Sequence, residues 1–378
     1  MKKIRLLFVG VLVLLPFFVL VEDGSLRQIS RPSSPPKQLH LLEAVFRHVR
    51  NDYIQEVDPN KVIEGSFRGL VNSLDNCSGY LDRQTTARYL AQKENIVAET
   101  GLILFKKPGA FLAVVGLHED SPALEAGLQI GDVITEINRQ STSSMSLTEA
   151  NVILRGTEGE PVELKVLRDE KTLEIKIERA RLKAERASYS EEKEVGGILK
   201  VFRLSPPLLT ELKTGILPRL RSLDKPLIID LRTCPEGTFE EARQLINLFL
   251  KTEPIGYLEK AGGKREALAA SEDPLLPDTP LLVWVSQATL GPAEAVAAVL
   301  KENGRAKVIG VPTPGLAGQN GFFPLPDGTS LLLTSGVFSL RSGAQVWGRG
   351  VEPDVLVERE DLSSSAYLKK SKSLLSAP

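Results

Sequence analysis

Residues 281–296 read LLVWVSQATLGPAEAV. Leu281 to Val285 are apolar without a break, which fits a strand covered on both faces, the pattern of a parallel sheet. The strand ends at Ser286. Pro292 suits the first position of a helix, which makes Gly291 the cap, and the helical pattern runs to Asn303 before Gly304 closes it. Lys307 to Val311 follow as another strand. Upstream, Pro226 to Leu231 form an apolar strand leading into the loop Thr233-Cys234-Pro235-Glu236-Gly237. Thr238 and Glu241 then have capping-box spacing, and Phe239, Ala242, Leu245, Ile246 and Phe249 share one helical face. Strand and helix alternating at these lengths, over about 188–357, predict a mainly parallel sheet with crossover helices.

Before this region the periodicity changes to two. Leu102 and Leu104, then Phe111, Ala113 and Val115, then Asp132 to Asn138, read as strands. Val162, Leu164 and Val166 alternate up to the turn Arg168-Asp169-Glu170-Lys171, after which Leu173, Ile175 and Ile177 supply the hairpin partner. Short helices are expected at Ser121–Ala126 and Leu147–Leu154, giving a small, mostly β module. Earlier still, Leu42, Val45, Phe46, Val49 and Tyr53, then Val62, Ile63, Phe67, Leu70, Val71 and Leu74, mark two amphipathic helices. That segment is too small for a strong core of its own and is expected to pack on a neighbour or on a second copy of itself.

At the start, Lys2, Lys3 and Arg5 precede an apolar run from Leu6 to Val21, the pattern of an export signal. As a helix the run spans roughly 24 Å, short of the ~30 Å hydrocarbon core. Val19, Leu20 and Val21 stand where a small-residue cleavage site would lie, so an uncleaved signal anchor is favoured over a cleaved peptide. The charge asymmetry then puts the bulk of the chain outside the cytoplasm. Ser25 to Lys37, rich in Pro and Ser, reads as an extended tether, and the Ser/Lys-rich residues after Asp361 as a loosely ordered tail.

Composition narrows the chemistry. The 378 residues carry 47 basic and 48 acidic side chains, so there is no electrostatic footprint for nucleic acid. Three histidines, His40, His48 and His118, and two cysteines, Cys77 and Cys234, leave no pair at metal-ligand spacing, which argues against a metal site and implies no cofactor. The cysteines fall in separate segments and read as unrelated thiols. In an open α/β sheet a site forms beyond the carboxyl ends of strands, near helix N-termini. Two loops qualify, Thr233–Gly237 and Gln287–Pro292. A nucleophile in the second would face oriented amides, as acyl transfer requires; from the residues alone, Gly291 is as readily a tight-turn glycine.

Four stretches carry a family resemblance: SLDNCSGYLD, SPALEAGLQIGDVITEIN, DLRTCPEG and LPDGTSLLLTSGVFSLRSGAQVWGRGVEPDV. Together they resemble the carboxyl-terminal processing peptidases, S41-family serine peptidases with a PDZ domain and a serine-lysine dyad. The resemblance implies an α+β multidomain fold: an N-terminal helical segment, a PDZ β-module and an α/β ClpP/crotonase-like peptidase core. The expected boundaries are 1–22 for the signal, 23–38 for the linker, 39–93 for the helices, 96–182 for the PDZ module, 185–360 for the core and 361–378 for a flexible tail.

Carried over by position, the family's catalytic serine falls on Gly291, its lysine on Leu316 and its glutamine on Asn320, beside Gln319. The interval from Gly291 to Leu316 agrees with the family's own. Gly237 keeps a glycine of the oxyanion loop, and Glu236 replaces the one before it. Gly291 cannot form an acyl-enzyme and Leu316 cannot take a proton. Ser286 and Thr289 are the hydroxyls that could substitute. In the PDZ module the resemblance places a carboxylate-binding loop at Thr100–Ile103, with Gly101, Leu102 and Ile103 receiving a peptide end and Val152 and Ile153 lining the pocket for its last side chain. Arg155 is expected to contact the core.

The expectation is an envelope protein of bacterial type, periplasmic and membrane-anchored through its N-terminal helix, that has lost its dyad and binds protein C-terminal tails or unstructured peptides. The helices would join it to a second copy or to an active paralogue. The alternatives are an active endopeptidase cleaving near C-termini through a displaced nucleophile, and a scaffold that binds neither.

Overall fold

A computed structural model describes residues 36–94, 98–182, 186–221, 225–269, 273–358 and 361–376. The run Leu6–Val21 lies outside them. Among the described residues no helix is long and apolar enough to cross a membrane. The chain divides into two compact units, 1–64 and 65–378. The first contains helix Pro36–Asp52 and the start of helix Pro59–Asn72. Leu39, Leu42 and Val45 are exposed on it. Its helix begins with Pro36, a residue well suited to a first turn, so the stretch read as an extended tether gives way to helix before Lys37.

In the second unit a six-stranded sheet runs in the order Val355–Leu356, Ala306–Gly310, Leu281–Val285, Leu227–Asp230, Gly196–Val201, Ala187–Glu192. Every pair is parallel except the last. Leu281 to Val285 are all buried, because the strand is covered on both sides. Leu281, Val283 and Val285 join the larger core cluster, while Leu282 and Trp284 join a second cluster on the opposite face. Helix Pro292–Glu302 belongs to the larger core and is buried from Pro292 through Leu300.

The second face is covered by helix Ser364–Leu375. This corrects the flexible tail read into 361–378: Tyr367 is fully buried, its hydroxyl donates to the Val285 carbonyl at 2.8 Å, and Trp284 Nε1 donates to Ser371 Oγ at 2.9 Å. A Ser/Lys-rich composition hid one apolar stripe, and the far side of a parallel sheet needs such a cover.

The β module is an antiparallel sheet ordered Leu102–Lys106, Leu112–Leu117, Val133–Ile137, Pro161–Arg168, Lys171–Glu178, with helices Pro122–Glu125 and Leu147–Leu154 where they were expected. One strand matches the expected alternation only in part: Val115 is buried in the core as expected, but its two partners in that reading are not. Leu112 and Val114 point into the core, whereas Phe111 is exposed and Ala113 half-buried. A register shift between Ile103 and Leu104 on the neighbouring strand accompanies the change.

A third, antiparallel sheet went unread. It is ordered Gly79–Leu81, Ser330–Leu340, Gly256–Lys260, Lys264–Leu268, with Gly318–Pro324 also paired to Ser330–Leu340. A further helix, Arg83–Glu94, escaped the periodicity because it buries threonines. Thr86 Oγ1 lies 2.8 Å from Ser330 Oγ and donates to the Leu81 carbonyl.

Candidate active site

The strand Leu281–Val285 ends in a turn held by its own hydroxyls. Ser286 Oγ donates to the Arg232 carbonyl at 2.7 Å and accepts the Ala288 amide at 2.9 Å. Thr289 Oγ1 donates to the Leu231 carbonyl at 2.8 Å and accepts the Ser286 amide at 2.9 Å. Both side chains are buried, and neither lines the neighbouring cavity. The turn ends at Gly291 with φ 60° and ψ −121°, the left-handed half of backbone space that L side chains avoid.

Glu294, one turn into the helix, ties this turn to the loop opposite. Its Oε2 accepts the amides of Gly291 at 3.0 Å and Leu316 at 2.6 Å, and its Oε1 accepts the Gly315 amide and the Thr313 hydroxyl, each at 2.6 Å. Thr313 Oγ1 in turn accepts the Val351 amide at 2.8 Å. Burial pushes the Glu294 carboxyl up to about 7 despite those four donors.

Gly291, Leu316, Gln319, Asn320 and Gly237 line one cavity of about 730 Å3. Asn320 Nδ2 donates to the Cys77 carbonyl at 3.2 Å, and Thr148 Oγ1 donates to the same oxygen at 2.6 Å. Gly237 approaches Leu204 so closely that a Cβ there would lie 2.3 Å from the Leu204 Cβ, which requires glycine. The lysines lining the cavity are Lys93, over the rings of Tyr89 and Phe322, and Lys260, paired with Glu266. Cys77 also lines it. Burial, with Asp75 and Glu294 adding, pushes its thiol up to about 12, so it stays protonated and a poor nucleophile.

In the β module Gly101 has φ +81°, and a Cβ on it would lie 2.2 Å from the Ser121 Cβ. Gly101, Leu102 and Ile103 border a narrow groove whose helical wall is Asn151, Leu154 and Arg155. The two helix residues expected there are placed elsewhere: Val152 faces the larger cavity and Ile153 the module's own core. The helix is rotated about its axis relative to the sequence-based reading.

Arg155 does contact the core. It pairs with Glu236 and lies 3.7 Å from Glu99, while Arg203 lies 2.5 Å from Glu99 and 3.9 Å from Glu236. Burial opposes the Glu99 charge, but Arg155 and Arg203 outweigh it and hold its carboxyl below the usual range. Glu99 and Arg203 had no local signal in the sequence, and Cys77 had only its place in SLDNCSGYLD.

Comparison with known proteins agrees with this architecture. Residues 216–357 match the profile of peptidase family S41, and residues 114–168 that of a PDZ domain. Residues 216–357 thus carry an S41 peptidase-family region and residues 114–168 a PDZ domain. Among its relatives, a carboxy-terminal-processing protease of Bartonella bacilliformis is 27% identical over 333 residues, which is 85% of this chain and 76% of that protein. The carboxy-terminal processing protease CtpA of Bacillus subtilis is 28% identical over 362 residues, covering 95% of this chain and 77% of the relative. The solved structure of a photosystem II D1 C-terminal processing protease shares the fold, with a TM-score of 0.70 over 90% of this chain and 97% of that one, at 19% identity.

Proposed function

We propose that this protein is a catalytically degenerate S41 homologue that binds protein C-termini or unstructured peptides, acting as a receptor or regulatory subunit. One observation carries the reading: the two positions matching the family's serine and lysine, Gly291 and Leu316, line the same cavity and bring neither hydroxyl nor amine to it. Chemistry through a displaced group has little support. Ser286 and Thr289 are both committed to backbone partners beneath the turn, and the Cys77 thiol is held protonated. A PDZ domain in a chain related to carboxy-terminal processing proteases fits recognition of C-terminal tails.

Apolar side chains exposed on the first helix support pairing with a second copy or an active paralogue, and the run Leu6–Val21 supports a membrane anchor with the bulk of the chain in the periplasm. The test is to incubate the purified protein with an unstructured polypeptide ending in apolar residues, and with its C-terminal amide. Binding that requires the free carboxylate, without turnover, is expected; robust cleavage would overturn the assignment.

A further inference from the structure

The turn that leads into helix Pro292–Glu302 offers no free amide. The start of a helix ordinarily leaves about four N–H groups without partners inside it. Here Gly291 N donates to Glu294 Oε2 at 3.0 Å, Ala293 N to the Leu290 carbonyl at 3.2 Å, and Glu294 N to the Gly291 carbonyl at 3.0 Å. Residue 292, which lines the cavity, is proline and has no N–H at all. The oriented amides expected at this turn from sequence are therefore all committed or missing. Two other glycines, Gly237 and Gly318, line the same cavity. Gly318 N donates to the Leu316 carbonyl at 2.7 Å, whereas the Gly237 amide has no partner among the described residues.

This accounting bears on chemistry at a peptide bond. When a hydroxyl adds to a peptide carbonyl, the π bond opens and its electron pair stays on the oxygen, where preorganised N–H donors ordinarily meet the charge. At a strand-turn-helix corner one of those donors is the amide of the residue after the nucleophile. Counted from Gly291, that residue is Pro292. We propose that Pro292 is a disabling residue in its own right: it removes one oxyanion donor, leaves the Gly237 amide as the other, and fits the cavity to an intact, neutral peptide bond rather than to the transition state of its cleavage. One donor serves a neutral carbonyl, whose charge does not change on binding, and falls short once a full charge develops. The inference rests on the reading of Gly291 and Leu316 as a lost dyad and adds a ligand class to it, the uncleaved internal segment of a polypeptide.

Proline is also a common first helical residue, so the experiment must separate its effect on the helix from its effect on charge. G291S/L316K is compared with G291S/L316K/P292A and G291S/L316K/P292S, each of which restores an N–H at 292. With a fluorogenic unstructured peptide, kcat in both triple variants should exceed that of the double by at least about 30-fold, with KM within about twofold, because a single oxyanion donor acts in the transition state and is ordinarily worth about 10²–10³-fold. A second readout needs no turnover. The serine oxygen adds to the boron of a peptide boronic acid, its proton passes to solvent and the boron becomes a tetrahedral anion. Affinity for this probe should rise at least about tenfold in the triple variants, while affinity for an uncleaved unstructured polypeptide changes by less than about twofold. A kcat equal in double and triple variants overturns the proposal, as do equal gains for boronate and uncleaved polypeptide, which would make Pro292 a matter of shape. Where no variant turns over, the boronate comparison decides, a rise supporting the proposal and equality overturning it. Robust cleavage by the unaltered chain would instead remove the lost-dyad reading, whatever position 292 does.

Discussion

A Cβ built on Gly291 would meet one atom within 4 Å, the carbonyl oxygen of Leu316 at 3.6 Å. There is room for a side chain, and what opposes one is the backbone: φ 60° at an L-residue costs about 1–3 kcal/mol. Gly291→Ser alone should fold, melt a few degrees lower and hydrolyse nothing, since the dyad's lysine position is Leu316. Adding Leu316→Lys places an amine at the same cavity, where burial lowers its pKa towards that of a general base. The double variant should cleave an unstructured fluorogenic substrate at least about 100-fold faster than wild type, recovering part of the roughly 10⁶-fold that loss of a nucleophile costs. A double variant no faster than wild type would mean that the cleft has lost more than its dyad.

Glu294 gives a second test, on stability. Its four partners are all donors, so Glu294→Gln turns an NH2 group against two of them and should destabilise the fold by about 2–4 kcal/mol near pH 5. The pH dependence has a definite sign. Burial raises the folded carboxyl to about 7, above its ordinary value, so its stabilising contribution is complete in acid and is lost as pH rises through 7. The gap between wild type and Gln variant, read from urea midpoints, should shrink by about 3 kcal/mol between about pH 4.5 and 8. A gap that widens with pH would mean the four donors outweigh burial.

The parts of this fold legible in sequence were those written locally. An unbroken apolar strand, a Gly-Pro turn and a Gly stop define the central sheet and helix within residues 281–304, and Thr238 does accept the Glu241 amide as its spacing implied. Long-range pairing was not legible. Gly79–Leu81 pairs with Ser330–Leu332 across some 250 residues, and neither stretch announces the other. The same division runs through the site. The spacing from Gly291 to Leu316 put both positions at one cavity, whereas the ion cluster joins Glu99 to Arg203 through space alone. The rotation that turns Asn151 and Leu154 to the groove, rather than Val152 and Ile153, depends on packing against the core and leaves no mark in a short helix.

Thr289 separates structural from chemical use of a hydroxyl. It is fully buried, donating to Leu231 and accepting from the Ser286 amide. Thr289→Ala leaves a buried carbonyl and amide without that partner, at a cost of about 1–3 kcal/mol. Thr289→Ser, which keeps the oxygen, should recover most of that loss. Peptide affinity should be unchanged in both. A Thr289→Ala protein of unaltered stability that lost a measurable hydrolytic activity would reinstate the displaced-nucleophile reading.

The C-terminal helix supplies the last test. Arg232 lies over both Trp284 and Tyr367, 4.7 and 4.6 Å from their ring centroids, and makes two side-chain bonds to Asp230 at 2.9 and 2.8 Å. Its Nη2 also donates to Ser364 Oγ at 3.1 Å, at the start of that helix. Arg232 O is the acceptor for Ser286, so the stack reaches the turn that leads to Gly291. Tyr367→Phe removes one buried hydrogen bond and should cost about 1 kcal/mol, whereas Tyr367→Ala empties the site and should cost about 3–5 kcal/mol. Ending the chain at Asp361 bares Ile228, Leu282, Trp284 and Ile309 together, and should yield a protein that aggregates or unfolds at much lower urea. A truncated protein with the wild-type urea midpoint would show that the helix only rests on the sheet, and that the cover over Trp284 adds nothing to the stability of the fold.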